Sequence, residues 1–323
     1  MTLTKRELGY NTGVFINPIG LGCMGMTEFY GDNFDEETNL TVLDRALELG
    51  CNFWDTADMY SAGENEELLG KYFAKSGNRD KVFLCTKFGV LRDRETKQFT
   101  GLSGKPEYVH KACKASLKRL GVDTIDLFYL HRPDPEVPIE ETVKAMAELV
   151  KEGKVRYLGL SGVDSDLLRR AHKVHPIAAI QEQFSPWALS IQQNGLLETA
   201  KELGITVVAY SPLSSGFLTG AIKSRKDLVD SDFRTKNPNY WKEDTPKKME
   251  LVNKIGELAE KKNISSAELV LAWVLGQGEN IVAIPGTKKI KYLEQNVKGG
   301  QAKLSNEELA EITKAANSAD IEE

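Results

Sequence analysis

From residue 19 onward the chain alternates between two hydrophobic patterns. Short, nearly unbroken apolar runs are followed by longer stretches whose apolar positions lie three and four residues apart. The first pattern predicts buried strands at 19–22, 52–55, 82–87, 126–131, 155–161, 177–181, 205–210 and 281–285. The second predicts helices at 35–50, 64–74, 106–120, 139–151, 165–172, 195–203, 246–262, 265–275, 289–297 and 305–316. In the first of these helices Leu40, Leu43, Ala46 and Leu47 share a face. Gly50, Gly121, Gly153 and Gly204 fall where helices should stop, Pro106 falls where one should start, and Ser165 is placed to cap another. Ahead of this rhythm, residues 6–17 alternate loosely around Gly9, Asn11-Thr12-Gly13 and Asn17-Pro18, which predicts a β-hairpin. Residues 211–245, rich in Ser, Asp, Asn and Pro, read as a long irregular segment, and 318–323 as a frayed acidic tail.

Strands that alternate with helices and are apolar on both faces belong to a parallel sheet covered by helices, so the fold class is α/β. Eight such units favour a closed (β/α)8 TIM barrel, here with an N-terminal β-hairpin and extra helices near the C-terminus. An open doubly wound sheet would need a phosphate loop after its first strand. That loop reads G-L-G-C-M-G-M, not G-x-G-x-x-G, so the dinucleotide fingerprint is absent. No low-complexity linker or shift in composition divides the chain, and residues 1–323 read as a single domain.

Composition narrows the class further. A hydrophobic content of 41% suffices for a large core, and a charged content of 28% is that of a globular protein. The net charge of −5 gives no electrostatic support for nucleic-acid binding. The four cysteines, Cys23, Cys51, Cys85 and Cys113, are widely spaced without a C-x-x-C, which predicts reduced, mostly buried thiols in a cytoplasmic protein. No apolar stretch is long enough to predict a membrane span, and no metal site is predicted.

In a closed barrel the chemistry lies at the carboxyl ends of the strands. Asp55 ends the second predicted strand and Tyr60 follows in its loop. Lys87 ends the third and His131 the fourth. Lysine is rarely buried without a partner, and Asp55 on the neighbouring strand can hold it charged. A carbonyl oxygen must be protonated as hydride reaches its carbon. A phenol of ordinary pKa ~10 is a poor acid at neutral pH, and a nearby ammonium is expected to lower that pKa. His131 can donate a hydrogen bond to the same oxygen. No side chain supplies hydride, so a nicotinamide cofactor is required.

These residues resemble those of the aldo-keto reductases. The matching pieces run through nearly the whole chain: G-L-G-C-M-G-M at 20–26, D-T-A-D-M-Y at 55–60, N-E-E-L-L-G-K at 65–71, T-K-F-G at 86–89, D-L-F-Y-L-H-R at 126–132, G-K-V-R-Y-L-G-L-S at 153–161, A-Y-S-P-L at 209–213, G-F-L-T-G at 216–220 and I-P-G-T at 284–287. The resemblance is greatest to the branch that includes perakine reductase and pyridoxal reductase. It implies a catalytic tetrad of Asp55, Tyr60, Lys87 and His131, with Tyr60 as the acid. It also implies NADPH lying extended across the barrel mouth, with NADH as an alternative.

On that resemblance Ser161 and Gln181 bind the carboxamide and Tyr210 stacks on the nicotinamide. Ser211, Pro212, Leu213, Ser215 and Gly216 lie along the pyrophosphate. Gly286, Thr287, Lys288, Lys289, Gln295 and Asn296 surround the adenosine 2′-phosphate, and Met24 also touches the cofactor. Independently, a helix starting near Lys289 offers free N–H groups to a phosphate. The chain departs from the family pattern at three places. Gly162 stands where an Asn is common, Tyr292 where an Arg is common, and Ser214-Ser215-Gly216 where Gly-Arg-Gly is usual.

Substrate specificity is expected from loops. Met26, Phe29, Tyr30, Phe88, Trp187, Tyr240 and Trp241 are the expected pocket residues. Trp54 is expected to point outward, because its neighbour Asp55 points in. This apolar set predicts aromatic or other apolar aldehydes and ketones. A second class resembles the same family: the potassium-channel β-subunits, redox-sensing binding partners that retain the tetrad. With the fold beginning within ten residues and no long extension ahead of it, the free-standing enzyme is the expected reading.

Overall fold

The computed structural model describes residues 4–9, 12–31, 34–237, 240–241 and 245–319. Eight parallel strands stand in chain order around a barrel: β1 (Leu21–Gly22), β2 (Phe53–Asp55), β3 (Phe83–Phe88), β4 (Ile125–Leu130), β5 (Val155–Ser161), β6 (Ile177–Gln183), β7 (Thr206–Tyr210) and β8 (Ile281–Ala283). Closure comes from parallel bridges between Ile19 and Ala283 and between Gly22 and Gly286. Across that seam Gly20 N–H donates to the Ala283 carbonyl at 2.8 Å. The seam also explains Gly22: a Cβ there would stand 2.8 Å from the Ile284 carbonyl oxygen.

Between the strands run α1 (Glu36–Glu48), α2 (Glu64–Ser76), α3 (Pro106–Leu120), α4 (Ile139–Lys151), α5 (Ser165–Val174) and α6 (Leu196–Glu202). After β7 come α7 (Thr245–Lys262) and α8 (Ser266–Gly276), and after β8 come α9 (Ile290–Gly299) and α10 (Asn306–Ala319). The ends follow local chemistry. Asp35 caps α1 through Thr38 N–H, and Ser265 and Glu268 form a capping box on α8. Gly121 closes α3 in the left-handed region. The cap of α5 is Asp164, through Leu167 N–H, rather than the expected Ser165, which is already the first helical residue.

Strand alternation produces two cores. Phe53, Phe83, Cys85, Leu127, Tyr129, Ala179, Val208 and Val282 fill the barrel interior. Trp54, Leu84, Phe88, Phe128, Leu130, Leu158 and Leu160 face outward, beneath the helices. Trp54 packs 5.3 Å from Tyr72 and 6.1 Å from Phe73 between ring centroids, in line with its expected outward orientation. All four cysteines are buried and free. No helix among the described residues is long and apolar enough to cross a membrane.

The expected hairpin is present as Arg6–Glu7 paired antiparallel with Phe15–Ile16. Asn11 of its expected turn lies outside the described residues. The hairpin belongs to the barrel floor: Leu8 and Ile16 join the interior core. Arg6 Nη1 donates to the Gly278 carbonyl at 2.7 Å and Nη2 to the Leu275 carbonyl at 2.8 Å, satisfying acceptors at the end of α8. A second hairpin, Val90–Arg92 with Phe99–Leu102, follows β3 and was not expected from the sequence. The irregular 211–245 segment contains 3-10 turns at Ser214–Thr219 and Arg225–Asp227 and a helical turn at Phe233–Lys236. Parts of it, 238–239 and 242–244, lie outside the described residues, as do 320–323 of the expected acidic tail.

Candidate functional site

The carboxyl ends of β2, β3 and β4 bring Asp55, Tyr60, Lys87 and His131 together. Asp55 and Lys87 are buried and meet across β2 and β3, Lys87 lying two residues beyond Cys85, the register partner of Asp55. An ammonium has three donors, and Lys87 uses all three: to Asp55 Oδ1 at 2.5 Å, to the Thr56 carbonyl at 2.8 Å and to Tyr60 Oη at 3.2 Å. Asp55 Oδ2 accepts from Gln181 Nε2 at 2.7 Å. The carboxylate and ammonium therefore neutralise each other without solvent. Burial alone would lower the Lys87 pKa, but the negative charge of Asp55 outweighs it and holds the ammonium above its ordinary range.

Tyr60 and His131 face each other edge-on, with ring centroids 6.0 Å apart. Burial is the largest influence on Tyr60 and pushes its phenol up; Lys87 pulls it down and Asp55 pushes it up again. The expectation that Lys87 would leave Tyr60 with a net lowered pKa is thus corrected, because Asp55 neutralises the lysine and burial prevails. Burial, then the charges of Lys87 and Arg132, holds His131 well below the usual imidazole range, so the ring is neutral at pH 7. Among the described residues His131 Nδ1 is buried with no hydrogen-bond partner. A buried polar group without a partner costs ~1–3 kcal/mol, and such groups concentrate where a ligand or a function accounts for them.

The turn carrying Tyr60 is strained. Ser61 and Ala62 have φ of 46° and 52°, a region that non-glycine residues seldom occupy. Neighbours hold it in place. Glu28 Oε1 accepts Ser61 N–H at 2.8 Å, and Arg92 donates to Glu28 Oε2 at 2.7 Å and to the Met59 carbonyl at 2.8 Å. Behind β3, the buried Glu66 accepts from Thr86 Oγ1 at 2.6 Å and from Arg119 Nε at 2.6 Å. Asn65 donates to the Cys23 carbonyl at 2.9 Å and accepts from Thr56 Oγ1 at 2.6 Å, joining the ends of β1 and β2. Sequence reasoning missed these supports. Glu66 alone carried a signal: an acid on the same helical stripe as the apolar Leu69 and Phe73.

Ser161 and Gln181 are paired in register at the ends of β5 and β6. Tyr210 ends β7 and is half-buried. Beyond it, Ser211, Pro212, Leu213, Ser215 and Gly216 form a tight turn in which Ser211, Ser214 and Ser215 have φ of 48°, 47° and 53°. Arg234 Nη1 donates to the Ser215 carbonyl at 2.7 Å, so a guanidinium reaches this turn although the sequence lacks the usual Gly-Arg-Gly. Gly286 and Thr287 lead to Lys289, the N-cap of α9, which has no side-chain cap and so leaves first-turn N–H groups for an acceptor. Lys288 reaches back, donating from Nζ to the Tyr30 carbonyl at 3.0 Å, and Lys289 Nζ lies 5.6 Å from the centroid of the Tyr292 ring. On α9, Asn296 is buried and Gln295 half-buried. A donor and an acceptor side by side, a strained backbone turn and an uncapped helix start together fit an extended dinucleotide of the expected kind.

The expected pocket residues divide. Met26 and Phe88 are corrected. Both are fully buried in the outer core, Phe88 stacked on Phe128 at 4.7 Å, because the inward Lys87 turns its neighbour outward. Met26 also borders a cleft of about 230 Å³, lined in addition by Asn39 and Leu68, that shares no residue with the tetrad. Phe29 and Tyr30 pack on Phe233 at 5.8 and 5.2 Å. Trp187, Tyr240 and Trp241 surround Phe217 at 5.4, 4.7 and 5.6 Å. Tyr240 Oη lies 2.8 Å from Ser215 Oγ, which sets that phenol on the 214–216 turn. Met24 packs with Val90 against Ala57, Met59 and Tyr60.

A parallel (β/α)8 barrel with a paired lysine and aspartate, a phenol and a neutral histidine at one mouth defines a class of oxidoreductases of carbonyl groups. The chain belongs to the aldo/keto reductase family, which it matches over residues 18–317. It is 48% identical to aldo-keto reductase str7 of Strobilurus tenacellus over 99% of this chain and 94% of that one. It is 45% identical to aldo-keto reductase yakc [NADP(+)] of Schizosaccharomyces pombe, with the same coverage. Among solved structures it is similar to a glycerol dehydrogenase of Gluconobacter oxydans, with TM-score 0.87, 26% identity and coverage of 99% and 97%. It is also similar to the thermostable aldo-keto reductase Tm1743 bound to the inhibitor epalrestat, with TM-score 0.77, 29% identity and coverage of 97% and 100%.

Proposed function

We propose that this protein reduces apolar, chiefly aromatic, aldehydes and ketones to alcohols with NADPH, and catalyses the reverse oxidation, using Tyr60 as the acid. One observation carries the reading. Lys87 donates to Tyr60 Oη, so the phenolic oxygen is already an acceptor and its own proton is free to be donated elsewhere. Bound NADPH supplies the hydride. Tyr60 hands its proton to the carbonyl oxygen as that oxygen gains charge, and Lys87 stabilises the resulting phenolate. Asp55 keeps Lys87 charged and aimed. Neutral His131 donates a hydrogen bond to the carbonyl oxygen and fixes it beside Tyr60. A proton from solvent then restores the phenol.

Ser161 and Gln181 hold the carboxamide, Tyr210 supports the nicotinamide face, and the 211–216 turn accommodates the pyrophosphate. The start of α9, with Lys289, meets the adenosine 2′-phosphate, and Tyr292 offers a ring to the adenine. The yakc relative is described with NADP(+), which supports NADPH over NADH. Phe29, Trp187 and Trp241 give the mouth its aromatic wall. The test is a panel of aromatic, short aliphatic and carboxylate-bearing aldehydes, each with NADPH and NADH. Aromatic aldehydes should show the highest kcat/KM, and with NADPH. Preference for acidic substrates would contradict the substrate reading, and preference for NADH would contradict the cofactor reading.

A further inference from the structure

Arg132 follows His131, whose imidazole its charge helps keep neutral, and its guanidinium also reaches toward β5. Its Nη1 donates to the His131 carbonyl at 2.9 Å and to Ser161 Oγ at 2.8 Å. A guanidinium only donates, so the Ser161 oxygen is used as an acceptor and the hydroxyl hydrogen must point elsewhere. Among the described residues Ser161 Oγ makes no other hydrogen bond. The neighbouring Gln181 is polarised in the opposite sense. An ionised Asp55 only accepts, so Gln181 must present its amide nitrogen to it, which leaves the Gln181 carbonyl oxygen as an acceptor. The paired ends of β5 and β6 thus offer one donor and one acceptor, the complement of a primary carboxamide.

Gly162 belongs to the same arrangement. It has φ of 67°, and a Cβ there would stand 2.8 Å from Arg132 Cδ and 2.9 Å from Nη1. The guanidinium occupies the space a side chain at 162 would need. Glu182 fixes the glycine's backbone by accepting Gly162 N–H at 2.6 Å.

We propose that Arg132 is a positioning residue that fixes the Ser161 hydroxyl as a donor to the nicotinamide carboxamide oxygen, taking over from the side chain that Gly162 lacks. The inference rests on the proposed binding of the carboxamide by Ser161 and Gln181.

The test measures binding, not turnover. Dissociation constants of the intact protein are determined by calorimetry for NADP+ and for 2′-phospho-ADP-ribose, which lacks the nicotinamide. The proteins are wild type, Arg132→Leu, Arg132→Lys, Ser161→Ala and the double variant of Arg132→Leu with Ser161→Ala. Arg132→Leu should weaken NADP+ binding about fivefold, the worth of one hydrogen bond, and leave 2′-phospho-ADP-ribose binding unchanged. Arg132→Lys should restore part of the loss. The double variant should bind NADP+ no more weakly than Ser161→Ala alone, because Arg132 acts through that hydroxyl. Wild-type affinity in Arg132→Leu, equal losses for the two ligands, or additive losses in the double variant would overturn the proposal. If Ser161→Ala itself leaves NADP+ binding unchanged, the carboxamide reading fails and takes the role of Arg132 with it.

Discussion

Tyr60 is subject to opposing influences, of which burial is the largest. Lys87 favours the phenolate, Asp55 disfavours it, and burial disfavours it more, so the phenol's pKa lies above its ordinary value. The sign of the pH dependence follows. On the proposed mechanism reduction needs the protonated phenol, which is present throughout the neutral range. Its rate with saturating NADPH should stay flat from about pH 6 to about pH 9 and fall only above the raised pKa. Oxidation of the alcohol needs the phenolate, so its rate should climb about tenfold per pH unit over the same interval. His131 is held below its ordinary pKa and adds no transition there. Initial rates in both directions across that range check both statements. A reduction rate that falls between pH 6 and 8 would mean that Tyr60 or His131 titrates where the structure says neither does.

At the scale of elements, the site depends on loops clamped by charged pairs. The 60–63 turn is costly on its own, with two non-glycine residues in the left-handed region. It persists because Glu28 and Arg92, from two other loops, hold its backbone on both sides of Tyr60. Arg92→Leu should let the turn relax and lower kcat about 10–100-fold, while NADPH binding changes little. Steady-state kinetics beside a cofactor titration checks this, and an unchanged kcat would remove the clamp from the account. This element was hidden in the sequence for a physical reason. Arg92 lies in a polar hairpin with no apolar alternation to announce a strand, and its partner Glu28 is 64 positions away. By contrast the barrel strands were legible, because burial on both faces leaves them almost wholly apolar. Asp55, Lys87 and His131 were legible for the converse reason: each interrupts or ends such a run. The pocket was legible only in part. Phe88 follows the inward Lys87, and alternation alone could have turned it outward, as it did for Trp54.

For the whole molecule, the floor and the mouth of the barrel do different work. The hairpin seals the floor with Leu8 and Ile16, and Phe53, Phe83 and Tyr129 fill the middle. The Asp55, Tyr60, Lys87 and His131 side chains lie at the upper end, where the strands meet their loops. Low-dielectric packing beneath and aromatic residues around the rim leave the Lys87–Asp55 pair no solvent to share its charge with, which makes Lys87 an effective partner for the phenolate. Family membership and barrel topology set the class of reaction. The claim particular to this chain is that Tyr60 delivers the proton. Tyr60→Phe tests it most directly, because the substitution removes the hydroxyl and keeps the ring against His131. NADPH binding should be unchanged while kcat for an aromatic aldehyde falls by about 10²–10⁴-fold; turnover within about threefold of wild type would contradict it.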